Sequence, residues 1–178
     1  MGFGPRSAAE LADLDCLERL VRTYSRAIDR RDFALLRSLY HDDAVEEHGH
    51  MFSGSPDAYV DFVRATLAGY AATAHYVVNS LFEVDGDAAE GETYKINYHR
   101  THGPDPREVI TGSRSLDRFA RRDGEWRFVR RSVALDWART QPVDAAAFED
   151  FAAGSPHGSP GADDLSYALL PLFGRRGD

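Results

Sequence analysis

The chain has 178 residues, 43% of them hydrophobic, which suffices for one core but hardly for two. A formal net charge of −8, with arginines interleaved among acids, leaves no basic face for nucleic acid. Cys16 is the single cysteine, excluding an intramolecular disulfide and any cysteine-based metal cluster.

No apolar run approaches the roughly 20 residues that span a bilayer. The opening residues carry no basic-then-apolar leader, and Arg6 stands where a myristoylation signal needs Ser or Thr. The expectation is one cytoplasmic domain with a small hydrophobic molecule as partner, neither nucleic acid nor membrane.

Ser7-Ala8-Ala9-Glu10 has capping-box spacing and predicts a helix start. Leu11, Leu14, Leu17, Leu20, Val21, Tyr24 and Ile28 then recur every three or four residues, giving one buried stripe that ends near Asp29. Asp32 can cap a second, short helix carrying Phe33, Leu35, Leu36, Leu39 and Tyr40. Ser55-Pro56 opens a third helix through Tyr59, Phe62, Val63 and Leu67.

After residue 74 the period changes to two, and Val77, Val78, Leu81, Phe82 and Val84 lead into the turn signal Asp85-Gly86-Asp87. Further strands are predicted at about 88–100, 108–121 and 125–137, the last two joined through Asp123-Gly124. Helices followed by an antiparallel meander define the α+β class, and a strongly curved sheet closed by helices makes a cone with an interior. Residues 1–8 read as an extension, 9–140 as the domain and 141–178 as a tail. The apolar Leu165–Phe173 stretch of that tail is expected to dock over the pocket mouth or on a neighbouring subunit.

Tyr24 to Phe33, Leu36 to Val45, Ala74-His75-Tyr76-Val77-Val78-Asn79 and Asp123-Gly124-Glu125-Trp126-Arg127-Phe128 together resemble, in order, segments of SnoaL-like proteins of the NTF2-like superfamily, over about residues 9–140. The resemblance implies a cone-shaped α+β barrel. Among eliminating members it also implies an Asp-His dyad, at Asp29 and His75, with Tyr24 beside it. A helical wheel alone would leave Asp29 off the stripe and solvated, so its role comes from the resemblance. A neutral imidazole accepts a proton near pH 7, and a carboxylate on its other nitrogen fixes the tautomer and stabilises the imidazolium.

His48 and His50, in an extended segment, would share one side. A third metal ligand is missing, so pocket lining is expected there and no metal. Tyr40, Tyr59 and Asn79 are further substrate-binding candidates. On the 88–100 strand, Thr93, Lys95, Asn97 and His99 share one face; if it lines the cavity, His99 and Asn97 touch substrate. Arg114, Arg118, Arg121, Arg127, Arg130 and Arg131 read as a solvated sheet face. Phosphate loops, nucleophile elbows and dinucleotide fingerprints are absent, so no cofactor is expected.

The resulting expectation is a homodimeric or homotrimeric lyase that eliminates water, halide or a one-carbon fragment from a hydroxylated aromatic or polycyclic molecule. An isomerase, a polyketide-type cyclase or a non-catalytic binding module of the same fold are the alternatives.

Overall fold

The structure, a computed structural model, describes all residues except 1–3, 145, 147–149, 152 and 174–178. The capping box forms: Ser7 Oγ accepts from the Glu10 N–H, and the Glu10 carboxylate accepts from the Ser7 N–H. This opens α1 at Ala8–Asp29. Leu17, Val21, Tyr24 and Ile28 are buried as the stripe predicts, but Leu11 is 56% exposed. The first turns of α1 are held by polar contacts instead, Asp13 accepting from Trp126 Nε1 at 2.8 Å and from Arg121 Nη1 at 2.7 Å.

Asp32 caps α2 (Phe33–Ser38), and Ser55 with Pro56 opens α3 (Pro56–Leu67). Tyr40 does not belong to α2. It starts a strand, β1 (Tyr40–Glu47), whose alternation was hidden because an acid, Glu46, occupies an inward position normally read as apolar. The short β2 (Ser53–Gly54) pairs with it.

Four long strands follow: β3 (Tyr70–Asp85), β4 (Ala88–Thr101), β5 (Arg107–Arg122) and β6 (Glu125–Pro142). They form the predicted antiparallel meander. The β5–β6 turn has Asp123 and Gly124 at φ +53° and +81°, the two positive values that a type I′ turn requires. The sheet order is β2-β1-β6-β5-β4-β3, and β1 joins β6 in parallel, so the sheet is mixed rather than wholly antiparallel. Register shifts at Val77/Asn79, Gly112/Ser113 and Arg118/Phe119 supply the extra bending that curls it around its inner face.

The helices cover that inner face, burying Leu36, Tyr59, Val63, Phe119 and Phe128 between the layers. Beyond β6, a short α4 (Leu165–Leu169) and a 3₁₀ turn (Pro171–Phe173) lie against α1. Polar contacts hold them: the Arg30–Asp164 ion pair, and the Gly161 N–H donating to the Arg30 carbonyl at 3.0 Å. The Arg26 guanidinium lies 5.0 Å from the Phe173 ring centroid. Leu169, Leu172 and Phe173 stay exposed, and none of the described tail residues lines the cavity. Among the described residues no helix is long and apolar enough to cross a membrane.

Candidate active site

The open side of the curled sheet and the inner sides of α1 and α3 enclose a cavity of about 340 Å³. Its walls are mainly apolar, with Ile28, Phe62, Val63, Val109, Val133 and Leu135 among them. Thr93, Lys95, Asn97 and His99 all point to the inner face of β4, and the last three line the cavity, while Tyr94 and Ile96 face outward.

Asp29 is the last residue of α1, and the helix end aims its carboxylate across to β3. Its Oδ1 accepts from His75 Nδ1 at 2.7 Å and from Thr73 Oγ1 at 3.0 Å, and its Oδ2 accepts from the His75 backbone N–H at 2.8 Å. A carboxylate can only accept here, so Nδ1 carries the hydrogen of the neutral ring, the tautomer whose Nε2 has the lone pair. His75 lines the cavity.

Arg31, the residue that turns the chain after α1, has φ +54°, a left-handed conformation rare outside glycine. From there its guanidinium donates to Thr73 Oγ1 at 2.9 Å and to the Ile28 carbonyl at 3.0 Å. A chain of contacts, Arg31 to Thr73 to Asp29 to His75, thus fixes the imidazole. His99 stands edge-on to His75, with ring centroids 5.1 Å apart. Burial, and then the neighbouring His75, pull the His99 ring down to a pKa of about 4.

Behind the lining residues Tyr24 and His48 lies a buried ionic cluster. Arg131 is fully buried, with its Nε 3.0 Å from Asp117 Oδ1 and its Nη2 donating to Asp117 Oδ2 at 3.1 Å. Its guanidinium carbon lies 3.9 Å from the Tyr24 ring centroid. Glu46, also fully buried, accepts from Tyr40 Oη and pairs with His48 Nε2, both at 2.7 Å. Tyr24 and Tyr59 share a short hydroxyl–hydroxyl hydrogen bond. Burial and the Glu46 charge push both phenols up, with Arg131 opposing.

Of the candidates read from sequence, Asp29, His75, Tyr24, Tyr59, His48 and His99 meet around this cavity, Asp29 through its bonds to His75. Three do not. His50 is exposed, because Gly49 at φ +58° turns the chain and breaks the extended run that would have set it beside His48. Tyr40 is fully buried beneath the cavity, its hydroxyl spent on Glu46. Asn79 is exposed, because the irregularity between Val77 and Asn79 shifts it from the inner face to the outer, opposite Tyr94. Arg131, which the sequence places with Arg130 on a solvated sheet face, instead faces inward and is fully buried, while Arg130 faces out.

Sequence reading passed over Glu46, Asp117, Arg131 and Lys95 as members of one buried cluster. For Lys95 a signal existed: of the 21 basic residues it is the only lysine, the other 20 being arginine.

A model of the SnoaL-like domain family matches residues 9–132. The chain is 28% identical over 127 residues to the uncharacterized protein Rv2910c of Mycobacterium tuberculosis, covering 70% of this chain and 86% of that one. Among solved structures, LinA superposes with a TM-score of 0.68 at 22% identity, covering 76% of this chain and 92% of that one. A protein provisionally assigned as a scytalone dehydratase from Novosphingobium aromaticivorans gives the same figures. The hexachlorocyclohexane dehydrochlorinase LinA-type3 from Novosphingobium barchaimii has a TM-score of 0.66 at 19% identity, covering 76% and 93%. At these identities the structures show a shared fold.

Proposed function

We propose that this chain, which belongs to the SnoaL-like domain family, is a lyase that removes a small leaving group from a hydroxylated aromatic or polycyclic molecule, using its own side chains for proton transfer. The observation that carries this reading is the Asp29–His75 pair, held through Nδ1, with the imidazole lining a mainly apolar cavity and no hydrogen bond to its Nε2 among the described residues. His75 Nε2 takes a proton from carbon and the C–H electrons form the new double bond. Halide leaves with its bonding pair, or hydroxide leaves and becomes water by taking the proton back from the imidazolium. A one-carbon aldehyde is released instead when Nε2 takes its hydroxyl proton, the O–H electrons form C=O, and the C–C pair stays on the product carbon, which the imidazolium then protonates. Asp29 carries the imidazolium charge formed at that moment. The apolar walls and the few polar groups on β4 and β5 suit a largely hydrophobic substrate.

The neighbours point the same way: a dehydrochlorinase and a protein assigned as a dehydratase both bear names for elimination reactions. The test is a panel of β-hydroxy and β-halo aromatic compounds incubated in deuterated water and followed by mass spectrometry. Loss of water or hydrogen halide that disappears in His75→Ala supports the lyase. Deuterium uptake without mass loss would replace it with an isomerase, and no reaction across the panel with tight ligand binding would leave a binding module.

A further inference from the structure

Lys95 is 6% exposed, lies on the inner face of β4 and lines the same cavity as His75. Among the described residues it takes part in no ion pair, and no carboxylate comes within 4.0 Å of its amine. Its amine lies over an aromatic face, with Nζ 4.6 Å from the Tyr24 ring centroid. Lys95 pairs with Val77 across the β3–β4 ladder, and His75 pairs with Asn97, so Lys95 and His75 are diagonal neighbours on one face. Such neighbours stand roughly 7 Å apart.

A buried cation meant only to hold a fixed charge is best made from arginine, which stays protonated and is weakly hydrated. Arginine fills every other basic position here, including the buried Arg131 nearby. Lysine differs in that its amine can lose its proton and act as a nucleophile when desolvated or set beside another cation. Both conditions hold at Lys95. Burial first, and then the Arg131 charge, drive its ammonium well below the ordinary lysine range, while Asp117, Glu46 and Asp29 pull the other way from beyond ion-pair distance.

We infer that Lys95 is a carbonyl-trapping amine, which captures an aldehyde or ketone in the cavity as a protonated Schiff base. The neutral Nζ lone pair attacks the carbonyl carbon, and the C=O π electrons pass to oxygen, giving a carbinolamine. One proton is taken up from solvent, water leaves, and a C=N⁺ bond replaces C=O. No other reactant is consumed. The iminium then acidifies the adjacent C–H bond, within reach of the base at His75. The inference rests on the cavity of the proposed lyase and names its substrate class as carbonyl compounds, but capture itself does not require the dyad.

The chain makes the experiment clean, because Lys95 Nζ and the α-amino group are its only amines. The folded protein is incubated near pH 7 with benzaldehyde and sodium cyanoborohydride, which reduces an imine to a stable benzylamine, and the peptides are mapped by mass spectrometry. One benzyl group on the Lys95 peptide is expected, forming at least about tenfold faster than on the α-amine, whose ordinary pKa is near 8. His75→Ala should be labelled at Lys95 as wild type is, and this outcome stands even if the panel of β-hydroxy and β-halo compounds shows no elimination. The proposal is overturned if Lys95 is labelled no faster than the α-amine, or only after urea unfolding.

Discussion

Asp29 grips His75 twice, accepting from its ring Nδ1 at 2.7 Å and from its backbone N–H at 2.8 Å. The second bond matters as much as the first. It ties the carboxylate to the β3 backbone, so the ring cannot swing away without breaking the junction between the end of α1 and the sheet. The remaining Oδ1 contact, from Thr73, is itself held by Arg31.

Removing the imidazole should therefore remove chemistry and little else. His75→Ala is expected to lower kcat on the order of 10²–10⁴-fold, the usual contribution of a positioned proton-transfer group. Asp29→Asn keeps the shape but no longer stabilises the imidazolium, and its loss should be strongly non-additive with that of His75→Ala. Steady-state kinetics on any substrate found in the panel checks this, with circular dichroism confirming the fold. A double mutant whose loss equals the product of the two single losses would contradict coupled action.

The buried Arg131–Asp117 pair predicts a different signature, in stability. Arg131→Met leaves Asp117 as an uncompensated buried carboxylate and should cost about 3–5 kcal/mol in urea unfolding. Arg131→Met combined with Asp117→Leu replaces the pair by apolar volume and should recover most of that loss. Equal destabilisation by the single and double variants would show that the pair's attraction was not what held this part of the core.

Much of this arrangement was legible because local chemistry and global fold agreed. Ser7, Asp32 and Ser55 all cap the helices that they announce, and Asp123-Gly124 makes the turn that it announces. What escaped was polar and inward. Glu46 disguised β1, since alternation is read from apolar residues, and Arg131 looked like one more surface arginine until the sheet's curvature placed it inside. Asn79 failed for a geometric reason: one irregularity reverses every later side chain of a strand, and nothing in Val77-Val78 announces it. Asp29 lay off the helical stripe, and it meets the sheet because the last turn of α1 packs against β3.

His99 predicts a pH dependence of stability. Its folded pKa of about 4 lies below the ordinary histidine value of about 6.5, so the unfolded chain binds this proton more readily. The contribution is fully present above about pH 6.5, is lost as the pH falls towards 4, and is constant below that. A shift of this size corresponds to something on the order of 3 kcal/mol, reduced to the extent that cavity water reaches the ring. Urea unfolding at pH 7 and pH 4.5 should show His99→Gln losing less stability on acidification than wild type. An identical loss in both would place the acid-sensitive group elsewhere.

The outer face of the sheet carries the last expectation. Tyr76 and Val78 on β3 are 60% and 59% exposed, and Tyr94 and Ile96 beside them on β4 are each 41% exposed. Ile96 lies directly opposite Tyr76 in the ladder, so these side chains form one continuous apolar surface rather than scattered single residues. A surface of this kind is unfavourable in water, and a second copy of the chain supplies a matching surface at no cost in specificity. Light scattering should therefore return a mass of two or three times the 19.8 kDa chain. Ile96→Glu sets a carboxylate in the centre of that surface, where association would strand it without water or a partner. The variant should run as a folded monomer, with its helix and strand content unchanged by circular dichroism. Wild type running as a monomer at working concentration, or Ile96→Glu keeping the wild-type mass, would show that this face is not where copies meet.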